Sequence, residues 1–296
     1  MARILDGKAI AEEIKAEIRQ RAEALKAKHG ITPGLAFILV GDNPASQVYV
    51  RAKGKACDEL GFHSRTEHLP TETTEHDVLA LIDHFNRDSI IHGILVQLPL
   101  PTHIREERII EAIDWRKDVD GFHPINVGKL VIGRHCLRPC TPAGVQELLV
   151  RSGNDPAGKH VVVVGRSNIV GKPLMNMLVQ KQSGANAVVT IAHTGAKDIG
   201  FFTRQADIVV AAIGKPEALR GDMLKPGCVV IDVGINRIAD ASAKNGYRLV
   251  GDVHFASAEP IASAITPVPG GVGPMTIAML MHNTLQAATA IIEGVW

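Results

Sequence analysis

Tyr49 and Lys53 stand four positions apart in VGDNPASQVYVRAKGKA, residues 40–56. On a helix that spacing puts a phenol and an ammonium on one face, where both can reach a single ligand atom. Proton transfer is the chemistry such a pair supports, because an amine can give and take a proton while an aromatic ring stacks beside it. Taken alone, an ordinary amphipathic helix explains the pair equally well. A second segment, VVVVGRSNIVGKP at 161–173, sets Gly165 and Gly171 around Arg166 and Ser167. Strand, glycine turn and helix in that order suit a dinucleotide pyrophosphate, which would meet free N–H groups and the positive end of a helix. Ser167 stands where the usual fingerprint has its second glycine, so a ligand-free turn also fits the spacing.

The elements that must hold these residues alternate. Ile10, Ile14, Ile18 and Leu25, with a stop at Gly30, predict a long first helix. LAFILV at 35–40 reads as a buried strand and is followed by the helix carrying Tyr49, which ends before Gly61. FHSRTEHL then reads as a strand, EHDVLALIDHF as a helix and IIHGILVQL as another buried strand. This alternation predicts a parallel sheet. After a turn-rich segment from Lys117 to Pro142, a second cycle begins with HVVVVG at 160–165 and a helix from about Val170. AVVTIA, DIVVAAIG and CVVIDVG follow as further strands, as in a doubly wound nucleotide-binding domain. A last helix runs from about Pro274 to Ile292 and is expected to pack back on the first domain. The expectation is therefore an α/β protein of two domains: residues 1–139 joined by 274–296 for the substrate, and 140–273 as a Rossmann-like domain.

The end of the second nucleotide-domain strand distinguishes the dinucleotides. An NAD site places Asp or Glu there for the ribose hydroxyl, whereas TIAHTGAK offers His193 and Thr194. Arg166, Ser167 and Thr194 can hold a 2′-phosphate instead, so NADP is expected; a solvated loop arginine is the alternative for Arg166. Short-chain reductases also use Tyr-x-x-x-Lys, but after their nucleotide turn, and Tyr49 here lies more than a hundred residues before Gly165. That order excludes them.

The 296 residues hold 32 Lys plus Arg against 31 Asp plus Glu, a formal charge of +1. Nothing in that balance favours nucleic acid or an acidic membrane surface. Residues 1–30 carry charges throughout, and MTIAMLMHNTLQAATAII is interrupted by His282, Asn283 and Gln286, so a soluble cytoplasmic protein is expected. Cys57, Cys136, Cys140 and Cys228 match neither a disulfide framework nor a paired zinc spacing and read as free thiols. Asp118, Asp120 and His123 crowd one turn without the further paired ligands of a metal site, and no metal is expected. A nonenzymatic NADP-binding sensor would need the first domain to be inert, which Lys53 and Gln97 argue against.

Three more segments complete a pattern: VQLPLP (96–101), where Gln97 leaves a strand beside two prolines, KDVDGFHP (117–124), and TPVPGGVGP (266–274). Taken alone, Gln97 reads as a satisfied strand-end amide and Asp120 as a turn former. With VGDNPASQVYVRAKGKAC and GRSNIVGKP, these segments closely resemble the bifunctional methylenetetrahydrofolate dehydrogenase/methenyltetrahydrofolate cyclohydrolase family, from the first helix to the last. The resemblance implies NADP-dependent oxidation of 5,10-methylenetetrahydrofolate, hydrolysis of the product to 10-formyltetrahydrofolate, a folate site in the cleft between domains, and a homodimer. It assigns Lys53 as catalytic lysine, Gln97 as its partner, Tyr49 as ring-stacking group and Asp120 as pterin anchor. Ser46, Pro269, Gly270, Gly273 and Pro274 join Tyr49 and Asp120 as folate contacts. Gly165, Arg166, Ser167, Gly171, Thr194, Gly214 and Ile235 fall to the cofactor. Two positions depart from the pattern: Thr194 replaces a serine, and GDVHF carries His254 where a second aspartate is expected.

Overall fold

In the computed structural model, residues 1–243 and 246–296 are described. Along the chain the first elements are β1 (Arg3–Ile4), α1 (Gly7–His29), β2 (Gly34–Val40), α2 (Pro44–Leu60), β3 (His63–Leu69), α3 (Glu75–Arg87) and β4 (Gly93–Val96). Next come α4 (Glu106–Ala112), α5 (Pro124–Val131), α6 (Cys140–Arg151), β5 (His160–Val164), α7 (Gly171–Leu178), β6 (Val188–Ala192), α8 (Gly200–Thr203) and β7 (Ile208–Ala211). The last are β8 (Val229–Asp232), β9 (Asn236–Ala239), β10 (Tyr247–Val250), α9 (Phe255–Ala258), β11 (Ala264–Ile265) and α10 (Val272–Glu293).

The chain forms two compact units, one of Met1–Ala11 with Thr141–Thr276 and the other of Glu12–Cys140 with Ile277–Trp296. In the second unit a three-stranded parallel sheet has the order β3-β2-β4. Every residue of β2 is buried, which is why LAFILV reads as a continuous apolar run rather than an alternating one. Val78, Ile82 and Phe85 of α3 pack with Ile38, Val40, Ile94 and Val96 as one core. The turn-rich segment contains α5: His123 caps it, its Nδ1 accepting from Ile125 N at 3.1 Å, and Pro124 takes the first helical position.

The other unit carries a six-stranded sheet in the order β1-β11-β8-β7-β5-β6, parallel throughout. From β5 the chain builds outward to β6 and then returns to β7 on the other side. The order therefore reverses at the end of β5, where Gly165 lies; that switch point is where open α/β sheets bind ligands. The compact units divide the chain differently from the expected domains. Residues 1–11 belong to this unit because β1 joins its sheet, Arg3 N donating to Ser263 O and Leu5 N to Ile265 O, both at 2.9 Å. Residues 274–276 belong to it as well. A two-residue strand with a charged member leaves no alternating pattern to detect. Among the described residues α10 is the one helix long and apolar enough to cross a membrane, yet most of it is buried within the protein.

Candidate active site

The sequence-assigned residues fall into two groups, one in each unit. Ser46, Tyr49, Lys53, Gln97 and Asp120 lie in the unit of Glu12–Cys140. Asn43 precedes α2 and its Oδ1 accepts from Ser46 N at 3.2 Å, which starts the helix. One turn on is Tyr49, 40 % exposed, and a further turn on is Lys53, 9 % exposed. Lys53 Nζ donates to Gln97 Oε1 at 2.9 Å. Gln97 is held twice: its main-chain N donates to Ile38 O at 2.9 Å, and its Nε2 to Leu98 O at 2.7 Å. The second bond turns the amide oxygen toward the lysine, so Gln97 orients the amine without adding charge.

Asp120 retains some solvent contact, but the crowding around its carboxyl pushes the pKa up to about 6. Desolvation dominates this rise, Lys53 opposes it and Asp118 adds to it. The buried Asp118 carboxylate accepts from His123 N at 2.8 Å and Asn126 Nδ2 at 2.9 Å, and its pKa also rises through burial. Asp118 and His123 thus build the turn and the α5 cap. Gly121 adopts φ +72° there, and a Cβ would lie 2.6 Å from Arg138 C and Pro139 N. Val119 O accepts from Asn283 Nδ2 at 2.8 Å and from Cys140 Sγ at 3.3 Å, fixing the residue before Asp120. A small apolar recess lined by Val96, Leu98, Ile113 and Phe122 adjoins Asp118 and Asp120. The unit therefore brings together an oriented amine, a carboxyl that changes charge in the mildly acidic range, and an apolar wall.

The second group lies in the unit of Thr141–Thr276. Gly165 has φ +131°, and a Cβ on it would come within 2.1 Å of Ala212 O. One on Gly171 would meet Gly165 O at the same 2.1 Å, so both positions require glycine. Ser167 Oγ accepts from Val170 N at 3.1 Å and Gly171 N at 3.4 Å, doing for the start of α7 what an N-cap side chain does. Arg166, Ser167 and Thr194 are exposed. Gly214 is exposed at φ +73°, and Ile235 is 43 % exposed. A bare glycine turn at a helix start, with a guanidinium and hydroxyls in reach of solvent, fits a phosphorylated dinucleotide. In the loop that follows β11, Gly270 O accepts from Lys8 N at 3.2 Å, and in the first turn of α10 a Cβ on Gly273 would lie 3.6 Å from Ile235 Cδ1. Pro269 and Pro274 lie in the same segment.

His254 does not disturb its turn. It occupies the position before α9, its Nδ1 lies 2.9 Å from Ser257 Oγ, and its main-chain N donates to Leu219 O at 2.8 Å. Sequence reasoning missed Asn283, Cys140 and two buried carboxylates, Asp232 and Asp252. Asn283 was visible only as a polar break in an apolar run; the aspartates left one signal, a glycine two positions after Asp232 in DVG and one directly before Asp252 in GD.

A parallel sheet with a glycine turn at its switch point, and a lysine–amide–carboxylate group in a second unit, define an α/β enzyme that works with a dinucleotide. Residues 5–120 match the family description "Tetrahydrofolate dehydrogenase/cyclohydrolase, catalytic domain", and residues 139–292 its "NAD(P)-binding domain". "Bifunctional protein FolD" of Syntrophobacter fumaroxidans is 58% identical over 287 residues, 97% of either chain. The protein of that name from Moorella thermoacetica is 58% identical over 287 residues, 97% of this chain and 99% of the relative. Among solved structures, FolD methylenetetrahydrofolate dehydrogenase/cyclohydrolase from Campylobacter jejuni aligns with TM-score 0.92 at 50% identity, covering 98% of this chain and 100% of that one. The Trypanosoma brucei enzyme, complexed with NADP cofactor and inhibitor, aligns with TM-score 0.93 at 41% identity over 98% of either chain. The chain belongs to the tetrahydrofolate dehydrogenase/cyclohydrolase family and is an enzyme with both activities.

Proposed function

We infer that this enzyme oxidises 5,10-methylenetetrahydrofolate to 5,10-methenyltetrahydrofolate with NADP⁺, then hydrolyses that product to 10-formyltetrahydrofolate. The observation that carries the reading is the 2.9 Å bond from Lys53 Nζ to Gln97 Oε1, with Asp120 as the neighbouring carboxyl. A bound dinucleotide, held at Gly165 and Gly171 and by Arg166, Ser167 and Thr194, would supply the hydride acceptor for this oxidation. Oxidation needs positioning more than a base, because the folate nitrogen lone pair assists hydride departure. Asp120 supplies an acceptor for pterin N–H groups, and the half-exposed Tyr49 ring a face for stacking. Ser46, at the start of the same helix, joins the folate contacts. Arg166, Ser167 and Thr194 hold the 2′-phosphate, and the backbone at Gly165 and Gly171 admits the pyrophosphate.

Hydrolysis places a different demand on the protein. Water adds to the cationic methenyl carbon and loses a proton to leave a hydroxyl; that hydroxyl then gives up its own proton as C=O forms, while the bond from the carbon to one ring nitrogen breaks and the nitrogen gains a proton. Lys53 Nζ is the group assigned to move these protons, held in place by Gln97. The same reading takes tetrahydrofolate derivatives as substrates, with no nucleic acid or membrane partner. A homodimer rests on family resemblance alone. The test is to mix the purified protein with 5,10-methylenetetrahydrofolate and NADP⁺ and to follow reduced cofactor and methenyl absorbance together. Reduced cofactor should form and the methenyl species should decay to formyl product; a folded protein that forms no reduced cofactor contradicts the reading.

A further inference from the structure

Two buried aspartates interlock beneath the exits of β7 and β8. Asp252, wholly buried, accepts from Ile213 N at 2.6 Å and Gly214 N at 2.8 Å through one oxygen, and from Asn236 Nδ2 at 2.9 Å through the other. Asp232, 4 % exposed, accepts from Gly234 N, Asp252 N and Val253 N, each at 2.9 Å. Each carboxylate fills the space of a glycine beside the other. A Cβ on Gly234 would lie 2.3 Å from Asp252 Oδ1, and one on Gly251 would lie 1.8 Å from Asp232 Oδ2. DVG at 232–234 and GD at 251–252 thus form a reciprocal lock.

The lock faces two ways. Beneath it lies the sheet core, while the segments it grips present Gly214 and Ile235 to solvent. The main-chain N–H groups of Ile213 and Gly214 turn inward onto Asp252, and Asn236, the residue after Ile235, is tied to the same carboxylate. An exposed glycine turn and an exposed isoleucine have little packing of their own to hold them; a charged acceptor below them supplies it. Hydrogen bonds to a charged group are among the stronger ones, and small displacements of a positioning group are costly.

We propose that Asp252, backed by Asp232, is a positioning residue for the dinucleotide: it fixes the Gly214 turn and Ile235 against which the cofactor binds. The proposal rests on the assignment of Gly214 and Ile235 to the cofactor, so the experiment tests both. Kinetics are measured on Asp252→Asn, Asn236→Ala and Ile235→Ala, with NADP⁺ and 5,10-methylenetetrahydrofolate varied separately and methenyl hydrolysis assayed without dinucleotide. Asp252→Asn should raise the KM for NADP⁺ about 10-fold or more, with a much smaller change in the folate KM and a rise in the ratio of cyclohydrolase to dehydrogenase rate. Asn236→Ala, which removes one partner from a half-buried position, should shift the same parameter in the same direction by less. It decides the matter if Asp252→Asn does not fold. An equal rise in both KM values with the ratio of the two rates unchanged, or an unchanged KM for NADP⁺ while Ile235→Ala raises it, overturns the role of Asp252. An unchanged KM in Ile235→Ala removes the cofactor assignment itself.

Discussion

Lys53 Nζ, on α2, donates to Gln97 Oε1, at the exit of β4, across 2.9 Å. The two residues are 44 positions apart in sequence, and the glutamine is anchored by its own backbone and by Leu98 O. The amine therefore points along a direction set by the sheet rather than by its own flexible stem.

Gln97→Ala removes that direction and leaves the amine chemically unchanged. Its methenyl hydrolysis should fall about 10²-fold, the lower end of the range for a positioned acid–base group. Steady-state assays of both reactions on the folded variant check this, and full retention of hydrolysis would show that the glutamine does not orient Lys53.

Arg166 bears on cofactor choice. If its guanidinium pairs with the 2′-phosphate, Arg166→Ala weakens NADP⁺ binding by about 1.5–3 kcal/mol, as for a hydrogen bond to a charged group, and barely alters NAD⁺. Calorimetric titration with both dinucleotides separates the cases, since equal losses would remove the arginine from the phosphate site.

Asp120 gives a pH dependence. Its carboxyl is raised to about 6, chiefly by burial, and only the ionised form accepts from two pterin N–H groups. The KM for folate should therefore fall as pH rises through about 6 and level off above it. Asp120→Asn should show a higher KM without that slope. Stability follows the opposite sign: a folded-state pKa above the unfolded value favours the fold at low pH, and this contribution is lost as pH rises through about 6. Melting curves should accordingly show Asp120→Asn gaining on the unmutated protein above that pH. A flat KM profile in the unmutated protein would take Asp120 out of folate binding.

Most of the fold was legible because parallel strands buried on both faces read as apolar runs, and β2, β4, β5, β7 and β8 are such runs. Apart from α6, a 12-residue helix that begins inside the turn-rich segment, the elements that escaped are short or polar. β1 has two residues, and the β9–β10 hairpin pairs Asn236–Ala239 with Tyr247–Val250, whose mixed pattern resembles a loop. In the candidate site, Lys53, Gln97 and Asp120 stood out only through the family resemblance, and the structure joins the first two by a hydrogen bond. Asp252 and Asn283 were not, since a buried polar side chain that bonds to backbone is specified by its neighbours in space. Asn283 Nδ2 reaches Val119 O and Arg138 O, residues more than a hundred positions away.

In the proposed mechanism one amine serves the proton transfers of hydrolysis while oxidation of the same folate proceeds largely without it. Lys53→Met keeps much of the apolar stem and removes the titratable group and its bond to Gln97. The decisive measurement is the pair of rates, oxidation and hydrolysis, on the same folded Lys53→Met preparation at several pH values. Cyclohydrolase activity should fall about 10²- to 10⁴-fold, with a smaller loss of dehydrogenase activity and accumulation of the methenyl species. Equal losses in the two reactions, or hydrolysis retained without the amine, would contradict that mechanism.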